Sequence, residues 1–130
     1  MALQPTLKQA YTDSQLLEIQ NYIDNRVNGQ ITIQSVVSAT TVTPNSSNYG
    51  IVITAQASAL TIANPTGVWL EMQPFMIRIK DNGTARAITW GNKFNAVNIS
   101  LPTSTILGGI LYVGGVYNKT ADTFDVLGVN

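Results

Sequence analysis

Apolar positions along the chain follow two periods, and the change between them falls near Gly29. Leu16, Ile19, Ile23 and Val27 recur at spacings of three and four, which puts them on one stripe of an α-helix. Leu17 and Tyr22 widen that stripe on opposite sides. Thr12 and Gln15 have the spacing of a capping box, Asp13 falls in the first turn and Arg26 in the last, so both charges complement the helix dipole. Gly29 supplies a C-terminal stop. The predicted helix has about four turns and spans on the order of 22 Å, which is marginal alone in water. Its stripe is therefore expected to be covered. Together with Leu3 and Leu7 of an extended N-terminal arm, it is the expected attachment and oligomer surface.

Beyond the helix the chain turns β-branched, short-period and punctuated. Strands are predicted over residues 31–37, 51–54, 60–62, 75–80, 85–90, 110–117 and 123–129, with weaker ones between them. Pro44-Asn-Ser-Ser-Asn and Asn64-Pro-Thr-Gly mark loops. Short strands with turn signals every eight or twelve residues or so predict an all-β, antiparallel sandwich or jelly-roll-like domain. The expected organisation is an arm with one short α-helix over residues 1–29, then a β-sandwich over residues 30–130.

The stretch FMIRIKDNGTARAITW, residues 75–90, predicts a hairpin. Asn82-Gly83 suits a two-residue type I′ turn, whose central positions both need positive φ. That register sets Lys80 opposite Ala85, Arg78 opposite Ala87, Ile77 opposite Ile88 and Phe75 opposite Trp90. Phe75, Ile77, Ile79, Ile88 and Trp90 then share a core-facing side, with Arg86 near the turn. Arg78 and Lys80 lie on the other side, as sheet-surface residues. Asn82, Gly83 and Trp90 are thus candidate structural positions.

Composition narrows the chemistry. Seven Lys plus Arg balance seven Asp plus Glu in 130 residues, so no net charge draws the chain to nucleic acid or to an anionic membrane. Only 11% of residues are charged, which suits a protein bound into something larger. There is no cysteine and no histidine. Thiolate and imidazole metal sites, Ser-His and Cys-His pairs and histidine acid–base chemistry are excluded, and no cofactor is expected. Of the carboxylates, Glu71 with Asp125 is the pair open to a glycosidase geometry. Gly108-Gly109 and Gly114-Gly115 lack the Lys-Ser/Thr of a phosphate loop. Trp69, Trp90, Tyr49, Tyr112 and Tyr117 are either core or, where exposed, able to stack on sugars. The residues MALQPTLKQAYTD hold no apolar run of signal-peptide length, so the Asn-X-Ser/Thr triplets at Asn45, Asn82, Asn98 and Asn118 read as composition.

Three segments, TVTPNSSNYGIVITAQASALTIANPTG, FMIRIKDNGTARAITW and LPTSTILGGILYVGGVYNKTADTFDVLGV, together resemble a β-module that recurs in structural proteins of tailed bacteriophages. The block IRIKDNGTARAITW is the most specific, followed by LYVGGVYN with FDVLGV. The resemblance implies a virion structural role, without catalysis, at the end of a fibre-like protein or attached to the particle. Here only an arm, a helix and two strands precede the module. That favours a small capsid decoration, or cement, protein: a homotrimer made in the host cytoplasm and bound to the major capsid protein on the capsid surface. The alternative is a receptor- or carbohydrate-binding tip of a fibre, with a host-surface glycan as ligand. A virion-associated hydrolase is the third reading.

Overall fold

In a computed structural model, residues 12–27 and 32–130 are described, with helix side chains described as far as Asn21. The chain divides into two compact units, Met1–Ile31 and Thr32–Asn130. The first holds helix α1 (Asp13–Val27). Its start is the predicted capping box: Gln15 N–H donates to Thr12 Oγ1 at 3.2 Å, and Thr12 N–H donates to Gln15 Oε1 at 3.0 Å. Leu16 is half-buried, whereas Leu17 and Ile19 are exposed. Leu3 and Leu7 lie outside the described residues, as do the side chains of Ile23 and Val27.

The second unit is built of two sheets, one mixed and one all-parallel. The larger sheet has the order β1 (Ile33–Val36), β3 (Gly50–Gln56), β5 (Pro74–Asp81), β8 (Ile110–Asn118), β9 (Thr123–Val129) and β7 (Phe94–Ala96). The smaller has β2 (Thr41–Val42), β4 (Leu60–Ile62) and β6 (Ile88–Trp90). Strands β1 and β2, β3 and β4, and β5 and β6 each pass from the larger sheet to the smaller. Each such arch stacks in parallel register on the next, with Ile51 beside Ile77, Ile53 beside Ile79, and Val42 beside Ile62 beside Trp90. The core lies between the walls, with Ile51, Ile53, Ile77 and Ile79 facing Val42, Leu60, Ile62 and Ile88. Burying each such side chain contributes roughly 1.5–3 kcal/mol.

The expected antiparallel order is corrected here. Strands β5–β8 and β8–β9 pair antiparallel, but β1–β3, β2–β4, β3–β5, β4–β6 and β7–β9 pair parallel. The hairpin is corrected too. Strand β5 pairs with β3 and β8, while β6 pairs with β4 in the other sheet, so Arg78 lies between Val52 and Tyr112 rather than opposite Ala87. The apolar sides of β5 and β6 face each other across the core instead of lying side by side. Gly83 has φ +99°, but Asn82 is not among the residues of positive φ, so the turn is not type I′. Asp81 Oδ1 instead accepts Gly83 N–H at 2.9 Å and starts a wider crossing. Trp90 is half-buried, its indole N–H donating to the Pro102 carbonyl at 2.7 Å.

The corners of the second and third arches each carry a buried polar side chain, and the two are register partners, Gln56 and Asp81. Gln56 ties the β1–β2 corner to the β3–β4 corner. Asp81 Oδ2 accepts Thr105 Oγ1–H at 3.1 Å and its Oδ1 also accepts Gly108 N–H at 3.2 Å, fastening the 103–108 segment over the β5–β6 corner. Between β8 and β9 the register shifts at Gly114 and Gly115. A Cβ on Gly115 would overlap the Asp125 carbonyl oxygen, so only glycine fits that approach.

Candidate interaction face

Strand alternation directs every second residue of the larger sheet away from the core. Strand β5 shows it without interruption: Phe75, Ile77, Ile79 and Asp81 are buried, while Pro74, Met76, Arg78 and Lys80 are exposed. The outward positions form rows across the strands. One runs Ile33, Gly50, Met76, Gly114, Gly128, and the next runs Ser35, Val52, Arg78, Tyr112. Ile33, Tyr49, Met76, Ile110, Tyr112 and Leu127 each stand 37–53% exposed on or beside these rows. Large apolar side chains gathered on one face mark a contact surface rather than scattered exposure. Between them, where glycine replaces a side chain, lies an open concavity of about 550 Å³. Tyr49, Pro74, Met76, Tyr112, Val116 and Leu127 stand around it. At its rim Asn130 Oδ1 accepts Tyr112 N–H at 2.6 Å.

Charge on this face is segregated. Arg78 and Lys80 lie on one side of the Met76–Gly114 row. Asp125, on the row of Pro74 and Val116, lies on the other. Burial would raise the Asp125 pKa, but hydrogen bonds from Asn95, Thr123 and Asn118 together outweigh it and hold the group below the usual carboxylate range. Nearby, Asp122 is also lowered, first by its bond to Lys93 Nζ at 2.7 Å and then by the Tyr117 hydroxyl at 2.7 Å. The same bond raises the Tyr117 phenol. The Lys93–Asp122 pair is largely exposed and adds little stability.

Aromatic residues sort into two groups. Trp69, Trp90 and Tyr117 join Phe75, Phe94 and Phe124 in one contiguous stack, with Trp69 and Phe124 edge-on at 4.9 Å and Trp90 and Phe94 at 5.0 Å. Tyr49 and Tyr112 stand on the outer face. The carboxylates singled out from sequence have other partners: Glu71 accepts Lys119 N–H at 3.2 Å, and Asp125 holds its three donors. Among the described residues, no three His, Cys, Asp or Glu side chains come together as a metal site. Tyr49 and Tyr112, named from sequence as either core or exposed, are exposed. A residue that sequence reasoning missed is Gln56, which no local pattern marks.

Acid should weaken this fold, and Asp81, the buried one of three carboxylates with lowered pKa, is one sensor. Hydrogen bonds from Gly83, and then from Gly108 and Thr105, with the Arg86 charge, hold its folded pKa down against the effect of burial. A lowered folded pKa gives stability that is present above the unfolded value, about 3.9, and lost as pH falls through the folded one. Thermal unfolding is therefore expected to fall steeply below about pH 4, and Asp81→Asn to lower Tm at neutral pH while flattening the acid limb. Parallel acid limbs in both proteins would remove Asp81 from that role.

No protein-family model, curated protein or solved structure matches this chain.

Proposed function

We propose that this chain is a non-enzymatic structural protein of a tailed-phage virion, a decoration protein that binds and stabilises the assembled capsid as a homotrimer. The observation that supports it best is the outer face of the larger sheet. It carries Ile33, Met76, Ile110 and Leu127 outward on one broad face and lies on a chain of zero net charge. Helix α1 adds exposed apolar side chains at Leu17 and Ile19, and residues 1–11 serve as the attachment arm to the major capsid protein. In this reading the two-sheet β-domain projects outward from the shell. Such a protein acts by mass action. It binds the assembled shell and not dispersed subunits, so the shell is stabilised by the binding free energy. Three arms on neighbouring capsid subunits add avidity, because later contacts are intramolecular.

The second reading, a carbohydrate-binding tip, is favoured by Tyr49 and Tyr112 alone, since the other large rings of the second unit are packed inside. Particles with and without the protein, heated or moved to low salt, separate the two. The decoration reading expects bare particles to rupture first, and deletion of residues 1–11 to weaken attachment far more than the fold. Equal rupture, with host adsorption lost when the protein is absent, gives the function to receptor binding.

A further inference from the structure

Asn82 and Gly83 are both exposed, at the crossing from β5 to β6. Among the described residues, Asn82 is the one asparagine followed by glycine. A side-chain amide in that position is open to attack by the glycine's backbone nitrogen, because no Cβ shields it. Both reacting groups are engaged here. Gly83 N–H donates to Asp81 Oδ1 at 2.9 Å, and Asn82 Oδ1 accepts Arg86 Nη2–H at 3.0 Å. The carboxylate is placed to draw a proton from the attacking nitrogen. The guanidinium is placed to hold the charge that develops on the amide oxygen. Nothing lies within 4 Å of where a Cβ on Gly83 would be, so a ring has room to close. Asn82 N–H donates to the Gln56 carbonyl at 3.1 Å and Arg86 N–H to Thr105 Oγ1 at 2.8 Å, which fixes the backbone on both sides.

Arg86 also indicates which product fits. Its Nη2 and Nε share one edge of the guanidinium, which a carboxylate meets with two parallel hydrogen bonds. Asn82 fills half of that edge, since Nε is buried and has no partner. An amide has one oxygen to offer, whereas a carboxylate has two. We propose that Asn82 is a self-modification site, converted to a carboxylate that completes a side-on pair with Arg86. Gly83 N bonds to Asn82 Cγ, its proton passes by way of Asp81 to the amide nitrogen, and the bond from Cγ to that nitrogen breaks with loss of ammonia. Water then opens the succinimide at one carbonyl to give aspartate, or at the other to give isoaspartate. One proton of the water returns to the ring nitrogen, and the other is released as the new carboxyl ionises. Pairing Nε removes the cost of a buried donor without a partner, so the β5–β6 corner tightens as the protein ages. The site does not depend on what the chain binds.

Trypsin cuts after Lys80 and Arg86, so the peptide DNGTAR isolates this asparagine. In the full-length protein kept folded at neutral pH, mass spectrometry is expected to find DNGTAR in its acid form while AITWGNK, residues 87–93, is still intact. Asn82→Asp is expected to raise Tm by a few degrees. That gain should vanish in the presence of Arg86→Lys, because lysine offers no two-donor edge. DNGTAR that survives as long as AITWGNK overturns the proposal. So does a Tm for Asn82→Asp no higher than that of wild type, which would mean that water already serves Nε. A gain that persists with Arg86→Lys overturns it as well.

Discussion

Phe124→Ala is expected to destabilise the protein by about 3–5 kcal/mol, the range for emptying a large aromatic site in a well-packed core. Phe124 is 2% exposed and lies at the centre of the ring stack. Trp69 meets it edge-on at 4.9 Å, Tyr117 tilts against it at 4.8 Å, and Phe75 and Phe94 each lie 5.9 Å away. These neighbours come from different strands and from the loop before β5, so no single side chain can swing in to fill the space. Edge-on pairs add about 0.5–1.5 kcal/mol beyond burial, and the substitution removes them together. For a domain of about 100 residues, the fall in Tm should exceed about 12 °C. Leu127→Ala, on the same strand but facing outward, is the internal comparison, and in the monomer it should stay within about 0.5 kcal/mol. Denaturant unfolding of both variants checks this. A loss under 1 kcal/mol for Phe124→Ala would mean that the stack does not hold the sheets together.

Gln56→Leu is expected to cost about 3 kcal/mol or more, though leucine is of similar size and more apolar. Gln56 is fully buried. Its Nε2 donates to the carbonyls of Ala39 and Ser58, while its Oε1 accepts Ala39 N–H at 3.1 Å and the Ser38 hydroxyl at 3.4 Å. Leucine would leave those backbone groups without partners in the corner between two arches. Each orphaned buried group costs about 1–3 kcal/mol. Ser58→Ala removes two marginal hydroxyl contacts, one accepted from Gln56 Nε2 at 3.4 Å and one donated to the Ala59 carbonyl at 3.3 Å, and should be close to neutral. Should Gln56→Leu unfold at the same denaturant concentration as wild type, the amide would be shown to be dispensable at the corner.

Sequence alone determined the local elements where one period ran long enough. Helix α1 was legible because a 3.6-residue stripe and a capping box agree, and β5 because alternation ran unbroken from Pro74 to Asp81. Register partners were not legible. An alternating strand followed by Asn-Gly and a second alternating strand satisfies a hairpin and an arch equally well. Both bury the same residues, and only the partner strands differ. Those partners, β3 for β5 and β4 for β6, lie at least a dozen residues back along the chain, and no local propensity encodes them. The same limit hid Gln56, an ordinary glutamine until three arches stack, and the apolar face, whose residues come from separate strands. Sequence thus set which side of each strand is apolar. The tertiary structure decided which apolar sides meet in the core and which are left outside, because that choice rests on long-range pairing and on Gln56 and Asp81 satisfying the backbone at the corners.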